Sequence, residues 1–535
     1  VLRIIRPLRI SEVMTARRSE STTLFFNGRI LTMSSRARAS AMIVEAGRIA
    51  EIGSLTDLRR AAPRGAERID LKDRFVVPGF NDCHTHFVQM GVDSMSIDLA
   101  RTRTMMEALE LIKKGASRSK GDNWVVATGW RESAWPDGRF ISRSDLDDCC
   151  RALPMVAYRI CGHLCSVNTR AMSELGIDER TPDAELDSGG RPTGVLTESA
   201  VEACRKATET DAATRLKGIV RATRKAYRLG VTSVTDNGST QDLAAYMTAK
   251  RSGRLNIRVS FNIPSANLDS LLDSSISTGL GDSWLRLGGV KVFCDGALGA
   301  RSAALSRPYA DDPSNSGMFV HKREDLDSLT ARANEAGIQL AIHAIGDMGI
   351  DAAISTISQA LRGNPRRDHR HRIEHLELPT RAHLQAMRRL GILASMQPNF
   401  IGEWGGTEGM YVSRLGPVRT SRNNPFREVL DEGVTLAFGS DCMPFHPMYG
   451  MSSAVNAPFP SQRIAPLEAL AAYTRDAAFT SFEERDKGTL EKGKLADFAV
   501  LSGDILDPGI SPNVTVLMTV LGGDVVHSTP AMQLS

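Results

Sequence analysis

Six residues able to hold a metal sit at the ends of five separate apolar runs: His84 and His86, Lys291, His343, His375 and Asp441. A lone His-x-His pair is a weak signal, and a histidine near a strand end is more often a hydrogen-bonded core residue. The weight comes from the series, because independent core histidines have no reason to recur in equivalent places on later runs. His84 and His86 are two apart, so on an extended chain both imidazoles point to one face. Lys291 taken alone would be read as pairing with Asp295. Beside metal cations, however, like charge and desolvation both favour its neutral amine, which can add carbon dioxide and become a carbamate bridging two metals. Four imidazoles, one carbamate and one aspartate suit zinc, with manganese, cobalt, nickel or iron as alternatives. Two ions about 3.5 to 4 Å apart would hold a hydroxide between them, with the pKa of bound water lowered toward roughly 7. Asp441 would act as ligand and general base, passing the proton to a leaving nitrogen, while one metal polarises the scissile carbonyl.

The elements that must carry these residues are short runs rich in Val, Ile, Leu and Phe, bounded by Gly, Asp or Pro, the pattern of buried strands. They are the run before His84, then Val231 to Thr235, Val259 to Ile263, Leu287 to Phe293, Gln339 to His343, Arg372 to His375, Ile392 to Gln397 and Thr435 to Gly439. Strands alternating with helical patterns predict a parallel sheet, and eight of them predict a closed (β/α)₈ TIM-like barrel whose chemistry gathers at the C-terminal strand ends. Residues 79–487 are assigned to the barrel. The gap between His86 and Val231 is too long for one crossover, so residues 90–228 are expected to form an inserted region capping the substrate. Short strands near both ends, including Leu24 to Leu31, Arg68 to Val77 and Lys494 to Leu501, predict a composite β-sandwich domain from residues 23–78 and 488–530. Residues 1–22 are expected to be a poorly ordered extension of little function, basic but lacking a secretory core.

Composition narrows the partners. A net charge of +4 on 535 residues, without a Lys/Arg stripe interleaved with aromatics, makes no case for nucleic acid. No apolar stretch approaches the roughly 20 residues that span a bilayer, and no membrane partner is expected. Eight scattered cysteines fit neither a zinc ribbon nor a disulfide scaffold and read as reduced thiols of a cytoplasmic protein. His321, His369, His371, His383 and His527 lie in polar or terminal segments and are expected to be solvated.

The linked segments resemble the amidohydrolase superfamily, and within it amidohydrolase family 3, the YtcJ-like metal-dependent hydrolases. The resemblance rests on Asn27 to Thr32, Pro78-Gly79-Phe80 leading into His84 and His86, Arg159 with Gly162-His163 and Asn168, and Lys291 to Gly296. Pro308-Tyr309, His343 to Asp347, His375, Met396-Gln397-Pro398, Gly439-Ser440-Asp441 and Gly493 to Asp497 complete it. It implies a metal-bearing barrel, a sandwich built from both ends and hydrolysis of amide-like C–N bonds, with the metal roles on the six residues above and carboxylation of Lys291. Departures are modest: Cys83, Cys294 and Cys442 adjoin ligands, and Phe445 stands where the family often has an acidic residue.

On the substrate side, His163 is expected as a substrate or oxyanion contact, and Arg159, Trp130 and Glu132 as residues closing over the substrate. Pairing of Arg159 with Glu132 and simple packing of Trp130 explain those residues equally well. Asp295, Arg301, Asp347 and Glu374 are candidates to orient ligands, and His446 to line the mouth. The leading reading is a metal-dependent amidohydrolase with two divalent ions, zinc first, acting on a small-molecule amide, formamide or cyclic amide, with a homodimer allowed for. The alternatives are a mononuclear deaminase of an amino-heterocycle, against which Lys291 argues, and a non-catalytic scaffold, against which the full ligand set argues.

Overall fold

The computed structural model of the protein describes residues 22–119, 124–132, 135–159, 164–506 and 514–532. The expected N-terminal extension falls outside the described residues, apart from Thr22.

Eight strands form one parallel sheet in strict chain order: Phe80–Thr85, Val231–Asn237, Arg258–Pro264, Leu285–Phe293, Leu340–Ala344, Arg372–His375, Leu393–Met396 and Leu436–Phe438. This is the expected (β/α)₈ barrel. Strands buried on both faces need apolar or satisfied residues at every position, and all seven residues of Val231–Asn237 are buried. Between the eighth strand and the first, the described ladder stops and the seam is stitched by single bonds. The Asp441 N–H donates to His84 O at 2.8 Å, and the Ser440 N–H donates to Asp82 Oδ1 at 2.9 Å. Gly439 is obligatory here: a Cβ would lie 2.4 Å from His84 N.

The irregular run before His84 has a physical explanation. Glu67–Pro78 belongs to the sandwich sheet and Phe80–Thr85 to the barrel, so the chain changes sheets at Gly79, where a Cβ would sit 2.3 Å from Thr232 Oγ1. The sandwich is a seven-stranded sheet in the order Asp524–Ser528, Val516–Leu521, Phe498–Leu501, Glu67–Pro78, Thr23–Leu31, Arg38–Glu45, Arg48–Gly53. It wraps around a core of Phe25, Met42, Val44, Ile49, Leu71, Phe498, Val500 and Val520. Its two ends meet where the Ala496 N–H donates to Gly47 O at 2.9 Å and the Gly523 N–H to Ala496 O at 3.0 Å. A buried two-point pair ties sandwich to barrel: Arg258 Nε and Nη2 reach Asp497 at 2.6 and 2.9 Å.

Gln89–Arg221 forms a second compact unit. Its sheet runs Ala184–Leu186, Pro192–Thr197, Leu164–Val167, Met155–Arg159, Val125–Trp130, Ile97–Asp98. One face packs on a core including Trp130, Trp135, Ile141 and Met155, the other on Val156, Val167, Leu196 and Val201.

Two histidines expected in solvent are buried. His369 and His371 are 2% and 0% exposed. His371 Nδ1 accepts the Leu340 N–H at 3.1 Å and its Nε2 meets Asn334 Oδ1 at 3.0 Å, while His369 Nε2 meets Leu390 O at 2.8 Å. They lie just before the sixth strand, at the barrel end opposite the mouth, where imidazoles satisfy backbone groups that water does not reach. The seven cysteines among the described residues are free thiols, and among those residues no helix is long and apolar enough to cross a membrane.

Candidate metal centre

The barrel brings the six predicted residues to one mouth. One ligand atom each from His84, His375 and Asp441 falls within a common 4.8 Å. Asp441 Oδ1 lies 3.2 Å from His86 Nε2 and 3.6 Å from His84 Nε2. The His375 ring is 4.8 Å from that of His84 and 4.4 Å from that of His343, centroid to centroid. Lys291 sits on the fourth strand, its Nζ 5.0 Å from the Phe293 ring centre. Two buried polar atoms here, Lys291 Nζ and His84 Nε2, have no hydrogen-bond partner among the described residues, and Asp441 Oδ1 faces His86 Nε2 at 3.2 Å. A buried polar atom left unsatisfied costs about 1 to 3 kcal/mol. These two nitrogens and the Asp441 carboxylate oxygen make a donor set suited to a divalent cation.

The other nitrogen of every histidine is committed. His84 Nδ1 contacts the Glu374 carboxylate, His86 Nδ1 meets Asn237 O at 2.8 Å, His343 Nε2 meets Gly296 O at 3.1 Å, and His375 Nδ1 meets Gln397 Oε1 at 2.7 Å. Each partner is an acceptor, so each of those nitrogens carries the proton. The lone pairs therefore fall on Nε2 of His84 and His375 and on Nδ1 of His343, as ligation requires, while His86 Nε2 faces the Asp441 carboxylate at 3.2 Å.

Electrostatics point the same way. Burial, reinforced by the Lys291 charge, holds His84 well below the usual imidazole range and lowers His343 to about 3. Burial with the neighbouring His343 does the same to His375. All three are neutral near pH 7. Burial also lowers Lys291 to about 8, against the pull of Glu374 and Asp441. Burial alone would raise Asp441, but His86, His84 and Lys291 outweigh it and keep the carboxylate ionised. His86 is raised, since the Asp441 carboxylate more than offsets burial. His375, Leu376, Asp441 and Cys442 all have positive φ, at 72°, 50°, 50° and 62°, a strained backbone of the kind that gathers at sites whose geometry the surroundings enforce.

Other sequence-predicted residues divide. Glu374 contacts the His84 ring at Nδ1. Asp295 shapes the loop beyond His343, accepting the N–H groups of Ala304, Ile345 and Gly346 at 3.0, 3.0 and 2.8 Å. Arg301 pairs with Asp311 at 2.9 Å and Asp347 accepts the Ser306 N–H at 2.9 Å, so both brace loops rather than ligands. His446 caps a helix, its Nδ1 accepting the Tyr449 N–H at 3.1 Å. In the second unit Arg159 makes a two-point pair with Glu132 at 2.8 and 2.9 Å. Trp130 does not fit the role of substrate contact. It is fully buried, stacks on Trp135 and donates its indole N–H to Ala157 O at 3.0 Å, leaving no surface for a ligand. His163 lies outside the described residues.

Sequence reasoning missed Asp82 and Gln397 as orienting groups. Asp82 Oδ1 accepts the N–H groups of both Ser440 and His84, at 2.9 and 3.2 Å, so one oxygen grips both sides of the seam. Burial raises its carboxyl to about 7. The spacing of Asp82, two before His84 on the same strand face, was a usable signal; Gln397 carried none beyond its strand end.

Comparison with known proteins identifies the family. Residues 67–527 match the family model described as the amidohydrolase family. The chain is similar to the Protein LONG AFTER FAR-RED 3 of Arabidopsis thaliana, 31% identical over 94% of this chain and 90% of that protein. It is 28% identical to an N-substituted formamide deformylase of Arthrobacter pascens, over 94% and 97% of the two chains. Its fold matches the crystal structure of an uncharacterized metal-dependent hydrolase from Pyrococcus furiosus with a TM-score of 0.78 and 30% identity, covering 91% of this chain and all of the other.

Proposed function

The chain belongs to the amidohydrolase family and is a metal-dependent hydrolase; from that premise we propose that it cleaves a non-peptide C–N bond in a small amide, formamide or cyclic amide. The observation that carries this reading is the compact group of ligand atoms from His84, His375 and Asp441, with Lys291 Nζ and His84 Nε2 buried and without hydrogen-bond partners at the mouth of the barrel. Likeness to a protein named for deformylating N-substituted formamides supports including formamides among the substrates.

His84, His86, His343, His375 and Asp441 would hold divalent ions, zinc being the proposed species, with Lys291 joining them as a carbamate. When bound, such ions polarise a substrate carbonyl and bring the pKa of water toward roughly 7. The chain's own residues do the rest. The neutral Lys291 amine attacks carbon dioxide, forming an N–C bond and losing a proton, which converts a buried would-be cation into an anion. Asp441, kept ionised by its neighbours, accepts a proton from water at Oδ1 and delivers it to the leaving nitrogen. The carbonyls of Asn237 and Gly296, with Glu374 and Gln397, keep the four imidazoles from turning. His163 is proposed as a donor to the oxygen of the tetrahedral intermediate.

A second reading, a mononuclear deaminase of an amino-heterocycle, is favoured by one observation. The His, Cys, Asp and Glu ligand atoms form a single compact three-residue group among the described residues. Elemental analysis of protein purified without chelator, run beside a panel of formamides, amides and amino-heterocycles, separates the two. About two ions per chain with amine release from amides supports the first. About one ion with ammonia release from heterocycles supports the second. No ion after zinc and bicarbonate are supplied, and no turnover, overturns both.

A further inference from the structure

Directly beneath the candidate metal centre the barrel interior holds an ion pair whose place is not explained by stability. Arg372 and Glu374 are two apart on the sixth strand, so both side chains project to the same face, and their side chains are 1% and 0% exposed. Arg372 Nε lies 2.6 Å from Glu374 Oε1, although neither atom is aligned for a hydrogen bond. A well-packed apolar filling is commonly as stable as a buried ion pair or more so. The bonds the two residues make elsewhere suggest what the pair is for. Arg372 Nη2 donates to Cys83 O at 3.1 Å, the carbonyl immediately before His84. Glu374 Oε2 takes the His84 Nδ1 contact and the Ser395 Oγ–H at 2.7 Å. His84 is thus held from the sixth strand at both its backbone and its ring. Asp82 and Asp441 grip its N–H and C=O from the seam.

We infer that Arg372 and Glu374 form a buried positioning pair that fixes His84 in the Nδ1–H tautomer and aims its Nε2 lone pair at the metal centre. Neither residue touches metal or substrate. Glu374, beside a guanidinium, offers His84 only acceptor oxygens, so the imidazole has one tautomer available. Ser395 fills a further lone pair of Oε2 and stops the carboxylate from rotating away. The inference rests on the metal-centre reading for its use, but not on any substrate.

Two measurements test it without recourse to turnover. The first is the cobalt(II) dissociation constant of metal-free protein, by competition with a chromogenic chelator, for wild type, Glu374→Gln and Ser395→Ala. Outer groups that orient a metal-ligating histidine typically change affinity by about 10 to 100-fold. Glu374→Gln should fall in that range and Ser395→Ala should weaken binding by a few fold, with near-ultraviolet circular dichroism of the metal-free forms unchanged. The second is nitrogen-15 NMR of histidine-labelled wild type without metal, with the His84 signals assigned by their loss in His84→Gln. An Nδ1–H tautomer is expected. Affinities within twofold of wild type in both variants, or an Nε2–H tautomer, would overturn the inference. If Glu374→Gln does not fold, Ser395→Ala and the wild-type spectrum decide. If cobalt does not bind wild type, the metal-centre reading fails while the tautomer still reports on the pair.

Discussion

Replacing Gly439 by alanine tests the seam that joins the two sides of the candidate site. A Cβ at this position would lie 2.4 Å from His84 N, 2.6 Å from His84 Cβ and 2.9 Å from His84 Cα. Ordinary non-bonded contact is about 3.5 to 4.0 Å, so relief requires roughly 1 Å of movement. None of the three atoms is the free end of a flexible chain. The movement would strain the bonds that carry Asp441, from its N–H to His84 O at 2.8 Å and from the Ser440 N–H to Asp82 at 2.9 Å. Overpacking of this kind costs about 1 to 3 kcal/mol, and a lost hydrogen bond about 0.5 to 1.5 kcal/mol more. A 1 Å misplacement of catalytic groups can cost about 100-fold in rate. Gly439→Ala should therefore melt earlier, bind cobalt(II) more weakly and lose about 100-fold in turnover. Gly65→Ala, where nothing lies within 4 Å of the added Cβ, should match wild type in all three. Wild-type metal affinity and turnover in Gly439→Ala would refute the claim that this glycine is required by the approach of the eighth strand to His84.

Asp441→Asn should keep most of its metal while losing about 10² to 10⁴-fold in turnover, the usual worth of a general base; paired elemental analysis and kinetics check this. With dissolved carbon dioxide held constant, the carbon-13 carbamate signal from labelled bicarbonate should grow as pH rises through about 8, where Lys291 becomes neutral, and vanish in Lys291→Ala. The same shift has a stability consequence. Between about 8 and the ordinary lysine value of 10.5 the unfolded chain binds the extra proton, so metal-free protein should gain stability as pH rises through that window. Urea midpoints should show this rise, and Lys291→Met should flatten it. Arg258→Ala strands Asp497, buried at 4% exposure, and should cost about 3 to 5 kcal/mol, read as a fall in the thermal midpoint of metal-free protein.

Much of the architecture was legible because it is written in local periodicity. Short apolar runs ending in Gly, Asp or Pro marked all eight barrel strands, and the two-residue spacing of His84 and His86 put both on one face. The six candidate ligands could be read because each ends such a run, and in a parallel barrel strand ends share one rim. His369 and His371 misled, since their neighbours Asp368, Arg370 and Arg372 look solvated. Arg370 instead pairs with Glu484 at 2.8 Å and Arg372 turns into the barrel. For Trp130 the sequence left substrate contact and simple packing open, and its ring packs inward.

The sequence by itself determined which segments become strands and which residues stand at their ends, because strand formation and facing depend on neighbours one and two positions away. Only the tertiary structure decided what those residues can do. The partners that set the imidazole tautomers come from other strands and loops: Glu374, Gln397, and the carbonyls of Asn237 and Gly296. The same holds for Asp82 and Gly439 at the seam, because barrel closure joins residues more than 350 positions apart. Orientation of a ring nitrogen and the approach of one backbone to another are set by three-dimensional proximity, which no short-range pattern encodes.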